Sequence, residues 1–454
     1  MRPNILLIVS DDLGCQMGCF GDRQARTPVL DALSQTGVSW TQAYVTQPSC
    51  SPSRSSLLTG LYPHQNGQIG LSHLGYRMRS GLPNLPGLLK AAGYITGVIG
   101  KVHVEPEREF VFDYDYRHAV TGTRDIRWTN ERVNEFICGI PATQPFFLYV
   151  NLFDPHRDFI DRVAGFPYRL TKPDDVTPFG FLGEAVNDAV RRDVAAFINS
   201  VSRVDTAVRL MMDTLERLGV MRNTLCVFLG DNGAPFTRGK TTCYEAGVHV
   251  PLICWGYGVR AQRPRHELVS TVDIMPTLLD FAEAAVPAQI EGRSLRPALE
   301  GRSYRGRRTL CVEHTAHQPS EYYPRRAIRD TRYKLILNLR SETPNPVLGI
   351  DGCAAWEASR APRLAGSRTR QAFDVYHHPP QWELYDLVRD PDEFENLAED
   401  PAHARVLRRL QVALNDWRVR TRDPLLNPET LHRLNEAHDR LRAPGSRWDP
   451  ALTD

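Results

Sequence analysis

The stretch Ile5-Leu6-Leu7-Ile8-Val9-Ser10-Asp11-Asp12 sets the terms for reading the whole chain. Five apolar residues without alternation read as a strand buried on both faces, and two carboxylates stand where it ends. Three further runs repeat the arrangement. Tyr94–Ile99 leads into Gly100, Lys101 and His103; Phe146–Leu152 into Asp154, Pro155 and His156; Leu225–Leu229 into Asp231, Asn232 and Gly233. Helical stretches lie between them. Thr27–Gly37 carries apolar Val29, Leu30 and Leu33 and stops at a glycine; Glu184–Leu218 is a long, interrupted amphipathic region. Strands alternating with helices predict an α/β sheet covered on both sides. In such open sheets a ligand lies outside the carboxyl ends of the strands, so the four runs should bring their polar residues to one edge.

Beyond about Arg325 the texture changes. Arg332–Leu339 and Trp382–Leu387 read as antiparallel strands, and Pro401–Thr421 as a helix with Leu407, Leu410, Leu414 and Trp417 on one face. Ser341–Pro380, rich in Pro, Gly, Ala and Arg, reads as an extended loop region, and the polar tail after Pro424 as a surface wrap. This predicts an α/β domain over 1–320 and a small antiparallel-sheet and helix domain over 321–454.

Composition narrows the partners. The chain has 454 residues, 42% hydrophobic and 24% charged, and a formal net charge of +2, too small to mark a nucleic-acid binder. No apolar run reaches the roughly 18 residues that would span a membrane. Nine scattered cysteines without a Cys-x-x-Cys pair argue against a disulfide framework or a zinc site and fit a reducing compartment. No leader precedes the first strand, so a cytoplasmic location is expected; a periplasmic or secreted one would need a leader removed. Oligomeric state is left open, a homo-oligomer included.

Asp11, Asp12, Asp231 and Asn232 offer only oxygen ligands, the donor set of Ca²⁺, Mg²⁺ or Mn²⁺. Adjacent carboxylates at a buried strand end repel one another unless a cation lies between them. Cys50 stands in Pro48-Ser49-Cys50-Ser51-Pro52-Ser53-Arg54, just ahead of a helix that Gly60 ends. Free N–H groups there favour an anion. Three readings follow: a capped helix with a buried thiol, a low-pKa thiolate nucleophile, or a precursor of something else.

Cys-x-Pro-Ser-Arg followed by x-x-x-Leu-Thr-Gly, matched from Cys50 to Gly60, resembles the signature of type I sulfatases. Asp11-Asp12, Gly100-Lys101-Val102-His103, Asp154-Pro155-His156 and Asp231-Asn232-Gly233 with Lys240 follow in that family's order, and the resemblance covers almost the whole chain. It looks most similar to the heparan N-sulfatase (sulfamidase) branch. The segments that say so are Ser49–Leu61 continuing to Gly67, FFLYVNLFDPHR (146–157), DNGAPF (231–236) and WELYDLVRDPDEFENLAEDP (382–401). Lys240 departs from the arginine of that branch.

The resemblance implies an alkaline-phosphatase-like fold and an enzyme acting on a sulfate ester or N-sulfate of a sugar. It implies that an activating, formylglycine-generating enzyme converts Cys50 to formylglycine, whose hydrate is the nucleophile. Asp11, Asp12, Asp231 and Asn232, with the modified Cys50, would hold one divalent cation, most naturally calcium. Arg54 would help ionise the nucleophile, and Lys101 and Lys240 would offset charge on the transferred group. His156, with Lys240, would protonate the leaving atom, and His103 would take a proton from the second hydroxyl. Asp154, Arg157, His314 and Arg325 are candidates for the leaving-group side; His64 and Trp382–Asp386 read as structural. The competing readings are a phosphonate or phosphodiester hydrolase on the same scaffold and an inactive protein that binds sulfated ligands.

Overall fold

The computed structural model describes residues 2–118, 122–346, 353–443 and 445–452. At its centre is a seven-stranded mixed sheet. In spatial order its strands are Val38–Ser39, Leu252–Gly256, Thr224–Gly230, Asn4–Ser10, Phe146–Leu152, Ile95–Lys101 and Tyr114–His118. Leu252–Gly256 runs antiparallel to its two neighbours; the remaining contacts are parallel. Asn4–Ser10 occupies the middle, and its side chains explain the lack of alternation. Leu6 and Ile8 enter one core and Ile5, Leu7 and Val9 the other, so both faces need apolar residues.

The register decides where the polar residues emerge. Ser10 pairs with Leu152 on one side and Gly230 on the other. Asp11 and Asp231 therefore leave the sheet at one level, with backbone hydrogen bonds to Leu152 and Ser10 continuing the ladder. The Ile95–Lys101 strand runs two residues beyond the predicted Ile99, and Lys101 closes it rather than following it.

The interrupted helix of the sequence reading is one continuous helix, Asp188–Arg217. Polar residues along it are absorbed. Ser200 and Ser202 donate to the carbonyls of Ala196 and Ile198, four residues back, and Asn199 bonds Asp161 and Thr171.

The small sheet places Leu310–His314, Arg325–Arg329, Tyr333–Asn338 and Trp382–Asp386 in consecutive antiparallel order. Its first strand thus comes from ahead of residue 320. Helix Ala404–Arg420 lays Leu410, Leu414 and Trp417 on Cys311, Ile328, Leu335 and Leu384 of that sheet. Ser341–Pro380 is not simply a loop: helices Cys353–Ser359 and Arg368–His377 lie within it, while 347–352 fall outside the described residues. Ser367 caps the second helix by accepting from the Arg370 N–H, and Ala372, Phe373 and Tyr376 bury one face.

The tail is also more than a wrap. Helix Pro428–Asp439 and Trp448 build a core of their own with Ile69, Tyr76 and Tyr322. His438 stacks between Tyr322 and Trp448 with ring centroids 3.8 and 4.0 Å apart. Its Nδ1–H donates to the Leu434 carbonyl, so Nε2 accepts from the Tyr76 hydroxyl and the ring is neutral. Burial lowers its pKa to about 3. A depressed folded-state pKa gives stability that is complete above the ordinary histidine value and lost as pH falls through the folded one. Wild-type protein should therefore lose stability between about pH 6.5 and 3 relative to His438→Gln, by on the order of a few kcal/mol. Melting curves of both proteins across that range check it, and parallel curves would refute it.

Candidate active site

Cys50 is the first residue of a wholly buried helix, Cys50–Thr59, rather than the residue before it. Ser49 stands at the cap, but its hydroxyl bonds His317 Nδ1 at 2.8 Å instead of capping. The helix start faces the ends of the central strands. Cys50 Sγ lies 3.5 Å from Asp11 Oδ1, 3.8 Å from Asp12 Oδ1 and 3.4 Å from Lys240 Nζ.

Three carboxylates meet three fixed cations around this sulfur. Lys101 Nζ is 2.7 Å from Asp11 Oδ2, and Lys240 Nζ is 2.7 Å from Asp12 Oδ1. Arg54 Nε is 2.8 Å from Asp231 Oδ2. Arg54 is fully buried, and its Nη1 donates to the Lys101 carbonyl, the Tyr149 hydroxyl and Asn151 Oδ1, while Nη2 lies 3.7 Å from Asp11 Oδ1. A planar fork with five donors suits this place as a lysine would not.

The electrostatics follow from burial and pairing. Burial raises Asp11, but Lys101, His156, Arg54 and Lys240 outweigh it and hold the carboxyl well below its ordinary value. Asp231 goes the other way, pushed up to about 7 by burial and by Asp11 beside it. Burial pushes the Cys50 thiol up despite both lysines. That direction disfavours the thiolate reading, since a thiol held protonated is a weak nucleophile. Burial lowers Lys240, but Asp12 and Cys50 more than restore its charge. His103 is held neutral by burial and Lys101; His156 is lowered by burial, partly offset by Asp12 and Asp11.

A divalent cation fits this group. Asp12 Oδ2 and Asn232 Oδ1 are buried with no hydrogen-bond partner. Asn232 turns its amide nitrogen to Asp12 Oδ1 at 2.9 Å, which leaves its oxygen free to act as a ligand. Ligand atoms of Asp11, Cys50 and Asp231 lie within 4.8 Å of one another, as do those of Asp12, Cys50 and His156. Unpaired buried oxygens are costly, and a hard cation is the partner that suits them.

The remaining predicted residues divide. His156 Nε2 is 3.8 Å from Asp12 Oδ2, and its Nδ1 donates to the Arg157 carbonyl. His103 follows Lys101 at φ 57°, a left-handed conformation that costs a non-glycine residue roughly 1–2 kcal/mol. It turns its Nε2 to His73 Nδ1 at 2.8 Å. The Asp154 carboxylate is committed to Arg203 and Arg124 and positions the His156 loop. Arg157 pairs with Asp193 at 2.9 Å and covers Phe159; Arg325 bonds Asn338 and the Thr241 carbonyl and covers Tyr323. His314 is buried beside Arg325 and Arg326, with Nδ1 unpartnered. His64, read as structural, bonds Glu313 through both its backbone N–H and its ring.

His73, His317 and Asn151 escaped the sequence reading. Asn151 left a signal: a lone amide in an apolar strand, sharing a face with Tyr149. The two histidines sit in loops with none.

The Sulfatase family profile matches residues 3–284. The chain belongs to that family. A second profile, N-sulphoglucosamine sulphohydrolase, C-terminal, matches residues 237–344. Human N-sulphoglucosamine sulphohydrolase is 33% identical over 93% of this chain and 91% of its own, which places the chain in the sulfamidase branch. The solved structure of a 2-O GAG sulfatase is 23% identical with a TM-score of 0.71, covering 93% of each chain. A phosphonate monoester hydrolase of Agrobacterium radiobacter is 19% identical with a TM-score of 0.69, covering 92% of this chain and 96% of its own. The fold is thus the alkaline-phosphatase-like fold of sulfatases, shared with phosphonate hydrolases. A divalent metal and a formylglycine are general to the sulfatase family, and the carboxylate group around Cys50 is a candidate for holding the metal.

Proposed function

We propose that this sulfatase hydrolyses an N-sulfate or O-sulfate of a saccharide, with formylglycine made from Cys50 as nucleophile and calcium as the resident ion. The observation that carries the reading is the charge balance at Cys50. Three carboxylates are matched by three cations, Lys101, Lys240 and Arg54. Adding a divalent cation leaves the site two charges positive, which one ionised nucleophile and one singly charged sulfuryl group would neutralise. When bound, the cation would polarise a sulfuryl oxygen and favour ionisation of the formylglycine hydrate, which supplies the attacking oxygen. Asp11, Asp12, Asp231 and Asn232 would hold the cation.

The chain's own residues do the rest. Lys240, held charged against Asp12 and 3.4 Å from the Cys50 sulfur, stabilises negative charge at the nucleophile. Lys101 faces it across Asp11. Removing one such fixed donor in a dry site costs roughly 10²–10³ in kcat. His156 carries a proton on Nδ1, bonded to the Arg157 carbonyl, which leaves Nε2 on the Asp12 side to deliver a second one to the leaving atom. His103, neutral, accepts a proton from the second hydroxyl on Nδ1, its unpartnered nitrogen. The similarity to human N-sulphoglucosamine sulphohydrolase supports an N-sulfated glucosamine as first substrate to test.

Parallel assays with N-sulfated glucosamine, an aryl sulfate and a phosphonate monoester are the test. Turnover of a sulfur substrate should exceed phosphonate turnover. Phosphonate hydrolysis well above both sulfur substrates would overturn the proposal.

A further inference from the structure

The general base of the proposed reaction has a neighbour that the reaction as written does not use. His103 is buried, yet its Nε2 meets the Nδ1 of His73 at 2.8 Å, and the two rings lie edge to edge with centroids 5.1 Å and planes 23° apart. His73 is only partly buried. The pair therefore joins the interior of the site to its surface by a single ring-to-ring hydrogen bond.

We propose that His73 relays to solvent the proton that His103 takes from the nucleophile. The inference rests on the function proposed above, in which His103 is the base. The tautomers follow from that role. For His103 to accept a proton at its unpartnered Nδ1, its resident hydrogen sits on Nε2 and donates to His73 Nδ1. His73 then carries its own hydrogen on Nε2. When the nucleophile's hydroxyl gives a proton to His103 Nδ1, the Nε2 proton passes to His73 Nδ1, and His73 releases its Nε2 proton to water. Each ring gains one proton and loses one. Both end neutral but with their hydrogens exchanged, and rotation or a return transfer resets them.

The turn that carries His73 is built for a fixed distance. It spans Ser72–Leu74 and is tied on three sides. The Ser72 N–H donates to Ser51 Oγ at 3.0 Å, so the turn is anchored to the residue after Cys50. The Leu71 N–H donates to the His317 carbonyl, and the Trp448 N–H to the Leu74 carbonyl. The groups facing His73 are His103, Lys101, Arg447 and His317. Burial and the two cations favour its neutral form, the one that can receive a proton.

The experiment compares wild type, His73→Gln and His73→Phe, each with Cys50 conversion verified by mass, on whichever sulfur substrate the wild type turns over. Glutamine keeps a hydrogen-bond partner for His103 Nε2 but cannot pass a proton on. The relay predicts that kcat of His73→Gln falls about tenfold in dilute buffer, a part of the 10²–10⁴ that acid–base catalysis supplies. It predicts recovery toward wild type as imidazole buffer is raised, while wild type stays insensitive to buffer. The acid limb of the kcat profile should change in both variants. A His73→Gln enzyme equal to wild type, or a deficit that no buffer repairs, overturns the relay and leaves the function standing. A fully converted wild type that turns over no sulfur substrate overturns the function, and the relay with it.

Discussion

Replacing Cys50 by alanine should abolish sulfatase turnover, by roughly 10⁴-fold or more, the scale on which enzymes lose rate when a covalent nucleophile is removed. The more informative arm leaves the residue in place. Unconverted Cys50 is a buried, protonated thiol beside Asp11 and Asp12, so protein made without a formylglycine-generating enzyme should be nearly as inactive as the alanine variant. Conversion lowers the mass of the Cys50 peptide by about 18 Da, since a thiol becomes an aldehyde. Activity should track that fraction linearly. Full activity in protein whose Cys50 peptide is unmodified would end the formylglycine reading.

Removing the divalent cation should have the second largest effect. Chelation is expected to abolish turnover and to lower the melting temperature. A ligand present at 1,000 times its Kd stabilises the folded state by about 4 kcal/mol. The ion should also return stability, because Asp12 Oδ2 and Asn232 Oδ1 are buried without a hydrogen-bond partner. Asp231→Asn keeps the shape of the side chain, and hence an acceptor for Arg54 Nε, while removing one of the charges that would hold the ion. Its melting temperature should respond to added calcium much less than that of wild type, and its kcat/KM should fall by roughly 10³. Calcium titrations followed by melting and by rate check both. An Asp231→Asn protein that responds to calcium as wild type does would remove Asp231 from the site.

Much of this was legible without coordinates because strand periodicity and strand ends are local. Ile5–Val9 is apolar at every position because alternate residues enter two different cores. A run of that kind can end only where the chain meets solvent or a ligand. The motif from Cys50 to Gly60 is likewise contiguous, and it specified both the helix and the place of Cys50 at its start. The region read as interrupted, Glu184–Leu218, holds one continuous helix, in which the Ser200 and Ser202 hydroxyls bond back to carbonyls of the same helix.

The amino-acid sequence alone determined the α/β class and the four strand ends, and it offered Asp11, Asp12, Cys50, Arg54, Lys101, His103, His156, Asp231 and Asn232 as candidates, with Lys240 added by the family resemblance. It could do so because each belongs to a short segment whose pattern is complete in itself. Only the tertiary structure decided which charge meets which. Lys101 pairs with Asp11, Lys240 with Asp12 and Arg54 with Asp231, across separations of 90, 228 and 177 residues. Register set the carboxylates level, since Ser10, Leu152 and Gly230 end together, while helix Cys50–Thr59 and the loop after Asp231 brought Arg54 and Lys240 to them. Tertiary structure alone also tied Asp154 to Arg203 and set His73 against His103, because a loop leaves no periodicity to show which buried group it will touch.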